Sequence, residues 1–217
     1  MKGKTLLTVF IIVAVATVGY RWLPPYYNPF MPLTLDDPPG RIAQYKLRRL
    51  TPEACASLLS QANQRDLIRT QPVADSGGAC PLNNVVRVRD FGPVSLNGSF
   101  LASCPLALSS ALFISQQARP LAKRYTGSDL ARIDHLGSFA CRNIYHRQQA
   151  RRSEHATADA LDVSGFRLAD GRRVSVLQGW RSETVCSCLT ARCWWALADL
   201  LASTARPIYG TARSSGL

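Results

Sequence analysis

The chain has 217 residues, with 26 lysines and arginines against 14 aspartates and glutamates, a formal net charge of +12, 47% apolar residues and seven cysteines. An apolar fraction near the globular average lets it bury a core, which excludes a disordered polycation, and the length suits one domain of about 100 to 200 residues plus a short extra segment. Charge alone leaves nucleic acid, anionic lipid and an anionic polymer such as cell wall as partners.

Lys2 and Lys4 precede a stretch from Thr5 to Tyr20 that has no charged residue and contains Val9-Phe10-Ile11-Ile12-Val13-Ala14-Val15-Ala16. Arg21 closes it, and Trp22, Leu23 and the following tyrosines extend it toward the about 20 residues that span a bilayer. Ala14-Val15-Ala16 also fits a signal-peptidase site, and a buried core helix is a third reading. Arg21-Trp22-Leu23-Pro24-Pro25 reads as an interfacial stop and favours an uncleaved anchor over residues 1–23. By the positive-inside rule Lys2 and Lys4 stay in the cytoplasm. The expectation is a single-pass inner-membrane protein with its C-terminal domain in the periplasm, where 24 basic residues face 14 acidic ones, a surplus of +10.

Six prolines between Pro24 and Pro39 predict a semi-rigid spacer over 24–44, with the domain beginning near 45. Thr51-Pro52-Glu53 predicts a helix start, with a hydroxyl cap, proline at the first helical position and a carboxylate in the first turn, and Leu58 and Leu59 supply its apolar face. Val85-Val86-Arg87-Val88-Arg89 predicts a strand. Residues 105–118 have helical apolar spacing, and Pro120 is expected to kink or end that helix. Phe166 to Leu177 predicts a hairpin around Asp170-Gly171. Helices with short antiparallel strands make the fold class α+β, a small antiparallel sheet with helices, and no internal repeat is visible.

Cys55, Cys80, Cys104 and Cys141 are widely spaced, which matches no metal framework and suits two disulfides formed in an oxidising compartment. Three connectivities are open. Cys186, Cys188 and Cys193 crowd together and leave an odd thiol, and their C-x-C-x4-C spacing has no fourth zinc ligand nearby.

The densest functional signal is Ser153-Glu154-His155-Ala156-Thr157-Ala158-Asp159-Ala160-Leu161-Asp162-Val163. A histidine and an aspartate separated by small residues let a loop imidazole and a strand carboxylate converge on one metal, and both are good zinc ligands. The plain alternative is a surface loop, because such a pair is common by chance.

These residues, continued by Ser164-Gly165-Phe166, resemble the signature of the bacterial extensin-like C-terminal domain family. Ile133-Asp134-His135-Leu136-Gly137-Ser138-Phe139-Ala140-Cys141-Arg142-Asn143 resembles the same family's G-S-[YF]-A-C-R segment, and the proline stretch, Tyr45-Lys46-Leu47, Cys55, Cys80 and Cys104-Pro105-Leu106-Ala107 also fit. The resemblance covers roughly residues 24 to 180 and places the extensin-like domain at 45–180. That family is similar to the LAS-type zinc D-Ala-D-Ala carboxypeptidases, whose S-x-H-x-x-G-x-A-x-D motif aligns on Ser153, His155, Ala158, Ala160 and Asp162. The resemblance implies the LAS-type fold, zinc as cofactor with His155 and Asp162 as metal ligands, Ser153 bracing the loop and Arg142 as the catalytic arginine that meets substrate carboxylate or oxyanion. Ala158 stands where the peptidases have glycine.

The larger departure comes after Trp180. The peptidases complete their site with a later H-x-H segment, whereas here the last histidine is His155 and residues 181–217 read as an atypical tail. No third zinc ligand is identifiable; His135 and His146 are near in sequence only, and nothing fixes Glu154 or Glu183 as a base. Two functions follow as expectations. One is a membrane-anchored, peptidase-like domain acting on peptidoglycan peptides. The other is a non-catalytic envelope protein that holds peptidoglycan or another anionic envelope polymer. Nucleic-acid binding lacks a basic-aromatic motif and the right compartment.

Overall fold

The computed structural model describes residues 2–179, less the side chains at 2–6, 16, 146 and 178–179. The tail and its three cysteines lie outside the described residues. Helix α1 spans Lys2–Trp22, and its apolar side chains Leu7, Val9, Phe10, Ile11, Ile12, Val13, Val15 and Val18 are all more than half exposed. Among the described residues no helix is long and apolar enough to cross a membrane; the described side chains of α1 begin only at Leu7.

The proline-rich stretch after α1 is not solvated along its whole length. Leu33 and Leu35 are 4% exposed and belong to the main core. Asp37 is buried against Lys46, 2.7 Å away, on helix α2 (Arg41–Arg48), and Lys46 also donates to the Pro25 carbonyl at 3.0 Å. The prolines prevent regular structure, but the leucines between them have apolar area to bury, so this segment is a strap laid on the core.

Helix α3 (Pro52–Gln64) begins as its sequence dictates. The Thr51 hydroxyl accepts from the Ala54 N–H at 3.3 Å, and Glu53 in the first turn is held below the ordinary carboxylate range by backbone and Thr51 hydrogen bonds. It buries Cys55, Leu58, Leu59 and Ala62, and the Cys55–Cys104 disulfide ties it to helix α4 (Cys104–Phe113).

Pro120 does not end the helical run that α4 starts. A π-helical turn over Ile114–Ala118 leads directly into α5 (Arg119–Thr126), and the Arg119 N–H reaches back to the Ile114 carbonyl. In an α-helix the proline ring would meet the carbonyl four residues back; the wider turn relieves that clash. It also presents Gln116, whose amide donates to the carbonyls of Leu35 and Asp37 and fastens the strap.

The strands form two sheets. Strands β1 (Arg69–Pro72), β2 (Val85–Asp90) and β4 (Phe100–Ser103) make an antiparallel sheet in the order β1-β2-β4. The second sheet, β3-β5-β6-β7, contains β3 (Ser95–Leu96), β5 (Leu130–Gly137), β6 (Asp162–Leu168) and β7 (Arg173–Ser175). Its β5, β6 and β7 are antiparallel, but β3 runs parallel to β5, because α4 and α5 form the crossover between them. The expected hairpin is the β6–β7 pair, turned at Asp170-Gly171 with Gly171 at φ +88°. Gly165 lets β7 approach: a methyl group there would sit 2.8 Å from the Val174 carbonyl oxygen. The chain ends its described part in one helical turn, α6 (Val176–Gly179). The mixed α+β class holds, and one contiguous core reaches from Leu33 to Val174.

Candidate functional site

The site is built where two segments run side by side. The stretch after β5 carries Ser138, Ala140 and Arg142, and the segment before β6 carries Ser153 and His155. Ala140 N–H donates to the His155 carbonyl at 2.9 Å, Ser153 N–H to the Arg142 carbonyl at 3.1 Å, and Ile144 N–H to the Arg151 carbonyl at 3.0 Å. The Cys80–Cys141 disulfide pins this pair of segments from the side, and Arg152 donates to Cys80 Sγ at 2.7 Å. The two bridges are therefore Cys55–Cys104 and Cys80–Cys141.

Local backbone then aims the histidine. Ser153 is buried and caps a short helical turn, Glu154–Thr157, by accepting from the His155 N–H at 3.3 Å, so it does brace the loop. Ala158 ends that turn in the left-handed region at φ 57°, ψ 33°, fully buried against Leu82 and Val85. Glycine enters that region freely, whereas an alanine there costs about 1 kcal/mol of backbone strain. The methyl's burial, about 0.8 kcal/mol for one carbon, offsets most of it.

His155 Nδ1 lies 2.8 Å from the Ser138 carbonyl oxygen. A carbonyl can only accept, so Nδ1 carries a proton, and Nε2 is the ring nitrogen left for another partner. That Nε2 faces Asp162 Oδ1 at 3.5 Å, with the histidine 15% and the aspartate 58% exposed. The arrangement is the one in which a backbone carbonyl orients a metal-ligating imidazole. Ser138 is held in turn, its hydroxyl donating to the Leu101 carbonyl.

The structure thus brings His155 and Asp162 together. Arg142 lies opposite Ser153 on the neighbouring segment, half-buried, and its guanidinium has no carboxylate partner among the described residues. The remaining candidates are engaged elsewhere or undescribed. His135 is buried on β5, its Nε2 2.8 Å from the Gly98 carbonyl, its ring edge-on to Phe100, and its Nδ1 without a partner among the described residues. The His146 side chain and Glu183 lie outside the described residues. Glu154 is paired with Arg151 at 2.8 Å. Among the described residues no group of three or more histidines, cysteines and acidic residues could hold a metal. Two donors do not complete the three-ligand set of a catalytic zinc, so the described residues do not by themselves fit that cofactor.

Sequence reasoning gave Ser138 no role, since it acts through a backbone carbonyl that any residue carries. It also passed over Asp134 on β5. Burial pushes the Asp134 carboxyl up, but hydrogen bonds from Arg167 and Arg132 outweigh it and hold the group below its ordinary 3.8.

The extensin-like protein C-terminus family matches the chain over residues 53–194. The match runs past residue 180, where the motif resemblance was expected to stop, into the stretch read as an atypical tail. No curated protein and no solved structure matches the chain, so neither comparison bears on the likeness to LAS-type peptidases.

Proposed function

The chain belongs to the extensin-like protein C-terminus family, and from that premise we propose that it is an envelope protein, tethered to the inner membrane by α1, whose periplasmic domain holds an anionic envelope polymer. The observation that carries this is the pair of disulfides, which join all four well-spaced cysteines as an oxidising compartment allows. The exposed apolar side chains of α1 and the basic surplus beyond it agree. The test is fractionation of the full chain in a Gram-negative host. Sedimentation with membranes, resistance to carbonate extraction and digestion of the domain in spheroplasts are expected; recovery in the cytosol with free thiols overturns the reading.

A second reading, a peptidase-like site for peptidoglycan peptides, is favoured by one observation, the Nε2 of His155 turned toward Asp162. Arg142 would meet a substrate carboxylate with its forked donors. Two donors define half of a zinc site, and no catalytic step is derived from them. Metal analysis of the purified full chain, followed by D-Ala release from a stem peptide with and without chelator, decides it. Stoichiometric zinc that is lost in His155→Ala, with chelator-sensitive release, supports the peptidase. Metal-free protein that sediments with sacculi supports the binder.

A further inference from the structure

The β3-β5-β6-β7 sheet carries a row of arginines that the candidate site does not use. Arg132 on β5 stands in register with Arg167 on β6, and Arg167 with Arg173 on β7. Neighbouring strands are about 4.8 Å apart, so three like charges stand directly opposite one another, an arrangement that weakens a sheet. One carboxylate answers them. Asp134 takes Arg132 Nε at 2.8 Å on one oxygen and Arg167 Nε at 2.9 Å on the other, and Arg173 Nη2 stands off at 3.6 Å. The cluster keeps two positive charges unanswered.

The manner of the pairing matters more than the count. Asp134 is 6% exposed and consumes the inner Nε of Arg132 and Arg167, which fixes both side chains while leaving their terminal nitrogens without a described partner. The arginines themselves are 38%, 46% and 57% exposed. A buried anion thus preorganises two cationic forks at the surface, with a third cation, Arg173, standing beside them. Because that carboxyl stays ionised through the neutral range, the forks stay fixed.

We propose that the Arg132–Arg167–Arg173 row is a binding surface for the phosphate groups of a linear anionic polymer. A planar carboxylate is satisfied by one guanidinium fork; a tetrahedral phosphate offers oxygens in more than one plane and takes a fork from each of two neighbouring arginines. A straight row across three strands suits successive phosphates on a chain better than a single ion. The inference deepens the envelope-binding reading and rests on it for the polymer's source.

The probe is inorganic polyphosphate, titrated into the full chain at several salt concentrations. Arg173→Gln removes a charge that makes no side-chain hydrogen bond among the described residues, so folding is expected to be retained. It should weaken binding about tenfold and flatten the salt dependence, and Arg173→Lys should recover only part of the loss. The charge-matched control Arg89→Gln, on the other sheet, should change binding less than twofold. Equal losses in Arg173→Gln and Arg89→Gln overturn the proposal, as do equal competition by poly-L-glutamate or tighter binding to phosphatidylglycerol vesicles. Polyphosphate binding through the row by a protein that ignores sacculi would leave the row standing and remove the envelope reading.

Discussion

Two ionic clusters anchor this molecule at different places, and they are built on opposite plans. Asp37 and Lys46, 6% and 2% exposed, form a closed one-to-one pair whose remaining bonds go to Thr34 and the Pro25 carbonyl. Asp134 is equally buried but faces three arginines that are each more than a third exposed. The closed pair uses its charge up on the strap. The open one holds its arginines in place and leaves their outer donors to the solvent. Equal burial of the two carboxylates therefore does not mean equal surroundings, since only the second leaves a cationic surplus facing solvent.

The largest effect should come from breaking the closed pair. Lys46→Met keeps the side-chain bulk and strands Asp37, and is expected to cost about 3–5 kcal/mol in urea unfolding. The double variant Asp37→Leu with Lys46→Met should recover most of that, because no buried charge is then left alone. A single-variant cost below about 1 kcal/mol would mean that the pair is solvated and the contrast is lost.

Asp134→Asn should cost less, about 2 kcal/mol near neutral pH, since its partners are half-exposed. Its pH dependence is the sharper test. The folded carboxyl sits below its ordinary 3.8, so its contribution is full above that value and disappears as pH falls through the lowered one. Stability curves of the wild type and Asp134→Asn should therefore converge only below pH 3.8; parallel curves down to the acid limit would show that Asp134 is not ionised in the fold.

The smallest effect is the reference for both. The Arg65–Asp36 pair, 2.9 Å but 49% and 77% exposed, should contribute no more than about 0.5 kcal/mol when Arg65→Ala is measured, and salt should erase it.

What was legible in the sequence follows the range of the forces involved. Thr51-Pro52-Glu53 announces α3 because a cap, a fixed φ and a first-turn carboxylate act within a few residues. Asp170-Gly171 announces the hairpin for the same reason. His155 and Asp162 were readable as a pair because one turn and a few small residues join them. The strap was not readable, since its fastening depends on Gln116 about eighty residues away. Pro120 was expected to kink or end the run; it does not end it, because its local rule is relaxed by the wider turn before it. The parallel β3 is too short to show a pattern, and Ser138 contributes only a carbonyl.

The π turn at Ile114–Ala118 also fixes a count. Each residue added to or taken from a helix rotates everything beyond it by about 100°. The wider turn takes up one extra residue, so α5 keeps the facing it would have without that residue, and Ala122 on it is fully buried. Deleting a single residue between Ile114 and Ala118 would leave that facing in place but turn the run into an ordinary helix, bringing the Pro120 ring against the carbonyl four residues back. The length of this stretch is therefore set by the proline that follows it and not by the packing of α5.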